Sequence, residues 1–175
     1  MADNFSKPPH GAKQSGASSC PPPSATRGTD GVAPLESHRL LVPGNVASLP
    51  LIRALVNSAS EAGGFPMEAM LQIEMAVDEA CTNIIEHAYR SHPPLKHEIE
   101  VVASLFADRL EIVINDYSPV DFPVSTSAPI NPDEYLSAER HRGLGLYIIN
   151  NFVDRVEHHF HSGQGNELRL VKFCA

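Results

Sequence analysis

EMAVDEACTNIIEHAYR, residues 74–90, is the stretch from which the rest of the chain is read. Stepped at about 100° per residue, the run from Ile73 places Ile73, Val77, Ala80, Cys81, Ile84 and Ala88 on one broad apolar arc. Glu79, Asn83 and Glu86 fall on the opposite arc, with Thr82 and His87 at its edges. The spacing predicts an amphipathic helix. Its polar face offers a carboxylate, a carboxamide and an imidazole, and its only cation, Arg90, comes at the end. Glu79 and Asn83 stand four residues apart, so their side chains share one face a single turn apart. A Glu takes a proton from a hydroxyl or a water. An Asn carbonyl is a hard oxygen ligand suited to Mg²⁺. A solvated helix face shows the same pattern, so the pair gains meaning only beside a phosphate-binding element.

Working outward, Pro66 sits in the first turn of this central helix and Pro93-Pro94 stops it. Upstream, Ser37–Val42 reads as a first strand and Pro43-Gly44 as a turn. Asn45 or Ser48 caps a helix with Pro50 in its first turn. Leu51, Ile52, Leu55, Val56 and Ala59 repeat at helical spacing, and Gly63-Gly64 ends that helix. Downstream, Glu98–Phe106 and Arg109–Asn115 form an antiparallel hairpin about Ala107-Asp108, and Asp116 closes its second strand. Tyr117 to Arg142 contains Pro119, Pro123, Pro129 and Pro132 with little periodicity, which suits a lid or binding loop. A last helix runs to about Asp154, and Arg155–His161 with Glu167–Phe173 form a final hairpin. The order β-α-α-β-β-loop-α-β-β, with hairpins and no βαβ repeats, predicts an α+β two-layer sandwich with helices on one face of a mostly antiparallel sheet.

A chain of 175 residues fits one domain with a proper core. Residues 1–35 are rich in Pro, Ser and Gly with almost no large apolar residue, so a disordered tail is expected there and a folded domain over 36–175. The net charge of −8 argues against nucleic acid or an anionic membrane as the main partner. Three cysteines without CxxC spacing read as reduced thiols of a cytoplasmic protein, with Cys81 in the core. No apolar run approaches the roughly 18 residues of a membrane span, and no signal-peptide core is expected. Among nine histidines, His158, His159 and His161 show no HExxH-type spacing, so a metal site is not expected from them.

Two further features carry chemistry. Arg142-Gly143-Leu144-Gly145-Leu146 opens a helix. Its glycines let the backbone approach an anion, and the free N–H groups and positive dipole end of the helix face it. Arg140 and Arg142 add charge beside it. No GK[ST] follows, so this is not a Walker loop, and no strand–GxGxxG–helix unit is present. Asp116, at a strand end, is placed to accept from an exocyclic amine such as adenine N6; an Asp that satisfies its own turn is the alternative.

Taken in order, these elements resemble a known family. Asp78-Glu79-Ala80-Cys81-Thr82-Asn83-Ile84-Ile85-Glu86-His87-Ala88-Tyr89 looks like the N-box of the bacterial anti-sigma-factor serine kinases, the RsbW and SpoIIAB-like proteins. These belong to the GHKL ATPases, with gyrase, Hsp90 and the histidine kinases. Arg142 to Ile149 resembles their G2 box, Asp116 stands where their G1 box lies, and Gly165 to Leu170 looks like their closing strand. The resemblance covers about residues 38–173. It implies the Bergerat ATP-binding fold, with ATP and Mg²⁺ as cofactors. Asn83 would hold the metal and Glu79 would be the general base. Asp116 would receive the adenine amine, and Gly143 and Gly145 would cradle phosphates with Arg142, Leu144 and Leu146 beside them. His87 would lie near the phosphates and 117–142 would be the ATP lid. The family phosphorylates a serine on a STAS-fold anti-sigma antagonist and in alternation sequesters a sigma factor, often as a homodimer. One departure is that Ser118 stands where the G1 box usually has glycine, which costs roughly 1 kcal/mol or more if that position needs φ > 0.

Three readings follow from these features. The first is a protein serine kinase that also binds a regulator. The second is a non-catalytic partner-binding regulator on the same fold, which Ser118 favours and which intact Glu79, Asn83, Gly143 and Gly145 oppose. The third is the ATP-binding half of a histidine-kinase-like enzyme, opposed by the lack of a helical hairpin with a phospho-acceptor His in residues 1–35.

Overall fold

Five strands and three helices follow the expected order in a computed structural model, which describes residues 32–91, 96–121 and 144–174. The strands are β1 (Glu36–Pro43), β2 (Glu98–Leu105), β3 (Arg109–Asp116), β4 (Arg155–His161) and β5 (Gly165–Phe173). The helices are α1 (Leu49–Ala62), α2 (Met67–Asn83) and α3 (Leu144–Phe152). A short 3₁₀ turn, Val46–Ser48, precedes α1. The sheet order is β1-β2-β3-β5-β4, and every neighbouring pair is antiparallel.

Strand alternation settles which face meets the helices. Ile99, Val101 and Ala103 of β2, Leu110, Ile112 and Ile114 of β3, and Leu168 and Leu170 of β5 are buried in one core. They meet Ile52 and Val56 of α1, Ile73, Val77, Ala80 and Cys81 of α2, and Ile149 of α3. Full burial of each large aliphatic side chain contributes about 1.5–3 kcal/mol, so this layer supplies most of the fold's driving force. The opposite face of β3 is also covered, by charge. Glu111 accepts from Arg109 Nε at 2.7 Å and from Arg169 at 3.2 Å, with all three side chains at most a tenth exposed.

The helix layer is ordered by pairs that fix direction. Arg53 makes a two-armed ion pair with Asp78, at 2.7 and 2.8 Å, and one turn away Asn57 donates to Glu74. These contacts set α1 antiparallel to α2. Lys172 donates both to Gln72 of α2 and to the carbonyl of Phe152 at the end of α3. That places the early part of α2 beside the end of α3, and so the end of α2 beside the start of α3. Neither Asn45 nor Ser48 makes a side-chain cap bond. Ser48 instead donates its hydroxyl to the carbonyl of Pro43 and ties the helix entry to β1.

The central helix departs from a uniform 100° wheel at its end. Ile84–Tyr89 is a π-helical turn. Widening the turn there shifts the phase, and Tyr89 joins Ala88 in the core. Its hydroxyl donates to the carbonyl of Glu98 at 2.5 Å and accepts from the N–H of Tyr117 at 3.1 Å. The end of the helix is thus tied to the start of β2 and to the chain just beyond β3. The Pro93-Pro94 stop, Arg140, Arg142, Gly143, and most of the 1–35 tail and of the 117–142 loop lie outside the described residues.

Tyr89→Phe leaves the ring in place but removes both bonds. The expected loss is about 1–3 kcal/mol of unfolding free energy in urea melts. An unchanged midpoint would mean that this tie does not hold the helix end.

Candidate functional site

α2 presents Glu79 and Asn83 at the same height as the start of α3. The reason lies in Gly145. A β-carbon built on Gly145 would come within 2.5 Å of Glu79 Oε2 and 3.5 Å of Asn83 Nδ2. A side chain at this position would have to displace the end of the Glu79 side chain. The face that a helical wheel leaves to solvent is therefore roofed by another helix. Glu79 and Asn83 are half-buried, while Glu86 is exposed.

The roof changes the acid. Burial, and then the neighbouring carboxylates of Asp78 and Glu86, raise Glu79 above the ordinary carboxylate range. Desolvation disfavours the charged form, and like charges add to it. A raised carboxylate is a better proton acceptor once ionised. The start of α3 stands beside the Glu79/Asn83 face, and the positive dipole end of a helix suits an anion.

Asp116 ends β3 and is almost fully buried. Its Oδ1 accepts from the N–H of Ser118 at 2.7 Å and from Asn166 Nδ2 at 3.2 Å. The first bond closes an Asx-type turn, and Ser118 is fully buried within it. Of the two alternatives, the self-satisfied turn is therefore present, on Oδ1. Both of these bonds land on Oδ1, so Oδ2 is the oxygen they leave for an incoming donor. Burial raises Asp116, and Ser118, Asn166 and His158 pull it part of the way back.

Asn166 reaches Asp116 because β5 begins opposite it, with Asp116 and Asn166 as register partners. Gly165, at φ 115°, precedes it, and a β-carbon there would fall 1.9 Å from the carbonyl oxygen of Asp116. A glycine is required at this crossing. β5 therefore starts two residues earlier than the apolar alternation from Glu167 suggests.

Between the two clusters lies a narrow hollow lined by Ala80, Asn83, Ile84, Asp116, Ile149 and His158. Its volume is about 20 Å³, room for a water but not for a purine. It joins the Asn83 end of α2 to Asp116 along one apolar wall. Among the remaining expected residues, Leu144 is exposed at the start of α3 and Leu146 packs partly against the core. His87 is half-buried on the π turn, and no described residue links it by a hydrogen bond to Glu79, Asn83 or Asp116. Arg142 and Gly143 lie outside the described residues. Sequence reasoning missed Asn166, His158 and Tyr89. Only the Gly165-Asn166 turn beside the last strand hinted at the first of these.

The donor set fits Mg²⁺ held jointly with a nucleotide. Among the described residues, no group of three or more His, Cys, Asp or Glu side chains could enclose a metal. Mg²⁺ is normally held by one or two protein oxygens, with phosphates and waters filling the other positions. A single carboxamide beside an anion-suited helix start matches that need.

Residues 42–172 match the family model described as a histidine kinase-like ATPase domain. Curated relatives include the serine-protein kinase RsbW of Bacillus mycoides (strain KBAB4), 32% identical over 126 residues, which are 70% of this chain and 76% of the relative. RsbW of Bacillus cereus (strain G9842) is 31% identical, and that of Bacillus cereus (strain AH187) 30%, over the same shares of each chain. No helix among the described residues is long and apolar enough to cross a membrane.

Two outcomes are expected. Gly145→Ala pushes the Glu79 carboxylate aside and lowers any turnover that depends on it by about 100-fold, with little change in the circular dichroism spectrum. Asp116→Asn keeps an acceptor for Ser118 and Asn166 but removes a buried charge. The raised Asp116 carboxyl makes stability fall as pH rises from the ordinary carboxylate range through the raised value. Asn lacks that loss, so its melting temperature at pH 7 should exceed that of the wild type, and a lower one would contradict the burial argument.

Proposed function

The chain belongs to the histidine kinase-like ATPase family, among RsbW-like anti-sigma-factor serine kinases, and on that premise we propose that it phosphorylates a serine of a protein partner from ATP and Mg²⁺. The observation that carries the reading is the contact of Gly145 with Glu79 and Asn83. It sets a proton acceptor, an oxygen ligand and an anion-suited helix start within one side-chain length of each other.

In this reading Asn83 holds Mg²⁺, which when bound neutralises charge on the phosphates. Phosphoryl transfer asks chiefly for positioning and charge stabilisation. The start of α3 cradles phosphate oxygens through backbone N–H groups of Leu144, Gly145 and Leu146, continued by Gly143 and Arg142. His87 borders them from the π turn. Glu79 accepts the proton of the attacking serine hydroxyl. Asp116 Oδ2 accepts the adenine amine once the hollow beside Ile149 and His158 opens. The 117–142 loop covers the nucleotide. The working unit is 36–175, and its protein partners are a STAS-domain anti-sigma antagonist, which carries the serine, and a sigma factor, which it sequesters. The relatives are serine-protein kinases, which supports the substrate class. A homodimer and a cytoplasmic setting are part of the same proposal.

The test is transfer of labelled γ-phosphate to candidate STAS-domain proteins. Glu79→Gln should lower the transfer rate by about 10²–10⁴-fold while ATP affinity stays within about threefold; equal loss of binding would remove Glu79 as the base. The pH profile gives a second reading. Because burial and its acidic neighbours raise Glu79, the acid limb should lie above the usual carboxylate range. Activity should therefore fall on acidification sooner than for an exposed Glu. Glu86→Gln removes one of those neighbours and should move the limb to lower pH. A limb that stays in place would show that another group titrates there.

A further inference from the structure

The hydrogen bonds to Asp116 do not end at Asn166. Asn166 Nδ2 donates to Asp116 Oδ1 at 3.2 Å and to the carbonyl of Val120 at 3.1 Å. Both are acceptors, so the amide nitrogen must face them. That leaves Asn166 Oδ1 facing His158, whose Nε2 lies 3.1 Å away. An amide oxygen only accepts, so His158 Nε2 must carry a proton. It does so in one neutral tautomer and in the imidazolium alike. The other ring nitrogen, Nδ1, is 3.8 Å from Asp121 Oδ1, which favours the ring orientation that aims Nε2 at Asn166. His158 is mostly covered, on an edge strand where the next residue, His159, is exposed.

We infer that His158 is a positioning residue for nucleobase selection, acting through Asn166 to hold the carboxylate of Asp116 in the one orientation that presents Oδ2 to an exocyclic amine. His158 adds to the opposition that Asp116 and Val120 already offer to turning the Asn166 amide over. The amide oxygen would then face Asp116, repelling the carboxylate and releasing it to rotate. With His158 in place that flip sets the Asn166 amide N–H against the His158 N–H and is disfavoured. The same Asn166 amide holds the carbonyl of Val120, so the chain leaving β3 is fixed by the same lock. The charged groups around the lock are Asp116 and Asp121, with His158 between them and the Tyr89 hydroxyl on the helix side. The inference rests on the reading of Asp116 as the acceptor of the adenine amine.

The experiment compares affinities of the full chain, with Mg²⁺, for ATP and for purine riboside triphosphate, which carries hydrogen where adenine has its amine. The ratio of the two affinities reports the amine contact alone. His158→Phe keeps a ring but loses the donor, and should lower the ratio by about tenfold with little change for the analogue. His158→Gln restores an N–H donor at similar reach and should recover most of the ratio. If His158→Phe fails to fold, Asn166→Ala interrupts the same link and should lower the ratio likewise. A wild-type ratio in these variants, including an equal weakening of both nucleotides, would overturn the inference. Asp116→Ala separates it from its premise. If Asp116→Ala also keeps the wild-type ratio, the reading of Asp116 itself fails; if only Asp116→Ala lowers it, the reading stands and the His158 lock does not.

Discussion

The start of α3 packs against Glu79 and Asn83 of α2 at a glycine, Gly145, and most of the site follows from that contact. Side chains usually hold helix axes 8–10 Å apart. At Gly145 there is no side chain to do so, and the carboxylate of Glu79 occupies the space where a β-carbon would stand. The same contact partly covers Glu79 and Asn83, which are half-buried. It raises the proton affinity of the acid and brings the helix start beside the pair. The cost is a partly desolvated carboxylate with acidic neighbours on both sides in sequence. That cost is offset in the layer beneath, where Ala80, Cys81 and Ile84 pack on Ile149 and the central strands.

Asp116 shows the same trade at the other end of the hollow. Its burial is unfavourable for a charge, yet one oxygen is satisfied twice, by its own turn and by Asn166. The arrangement depends on β5 starting with a glycine at φ 115°, without which the strand could not pass the carbonyl of Asp116. Tyr89 ties this region back to the central helix through Glu98 and Tyr117. The phosphate end and the proposed adenine end are thus parts of one hydrogen-bonded and apolar unit. The hollow between them is too small for a purine in the form described.

Much of the fold was legible in local pattern. The period of 3.6 in α1 and α2, the alternation in β2 and β3 and the glycines after α1 each specify their elements without tertiary help. The Glu79/Asn83 pair, Asp116 and Gly145 were legible as chemistry because each residue type is unusual where it stands. What escaped was long-range or depended on phase. Tyr89 is buried because a π turn resets the helix after Ile84, and no periodicity signals that. His158 and Asn166 gain their roles only from β-register, eight residues apart in sequence but joined across the β4–β5 pair. Ser118, read as a departure from the family pattern, is buried and donates its N–H to Asp116.

The most direct test of the central claim is a calorimetric titration of ATP into the full chain, with and without Mg²⁺, for wild type and Asn83→Ala. If the Glu79–Asn83–Gly145 junction is a phosphate and metal site, the wild type binds more tightly with Mg²⁺ than without, and Asn83→Ala loses that difference. Equal affinity with and without Mg²⁺, or a mutant with an unchanged Mg²⁺ response, would contradict it.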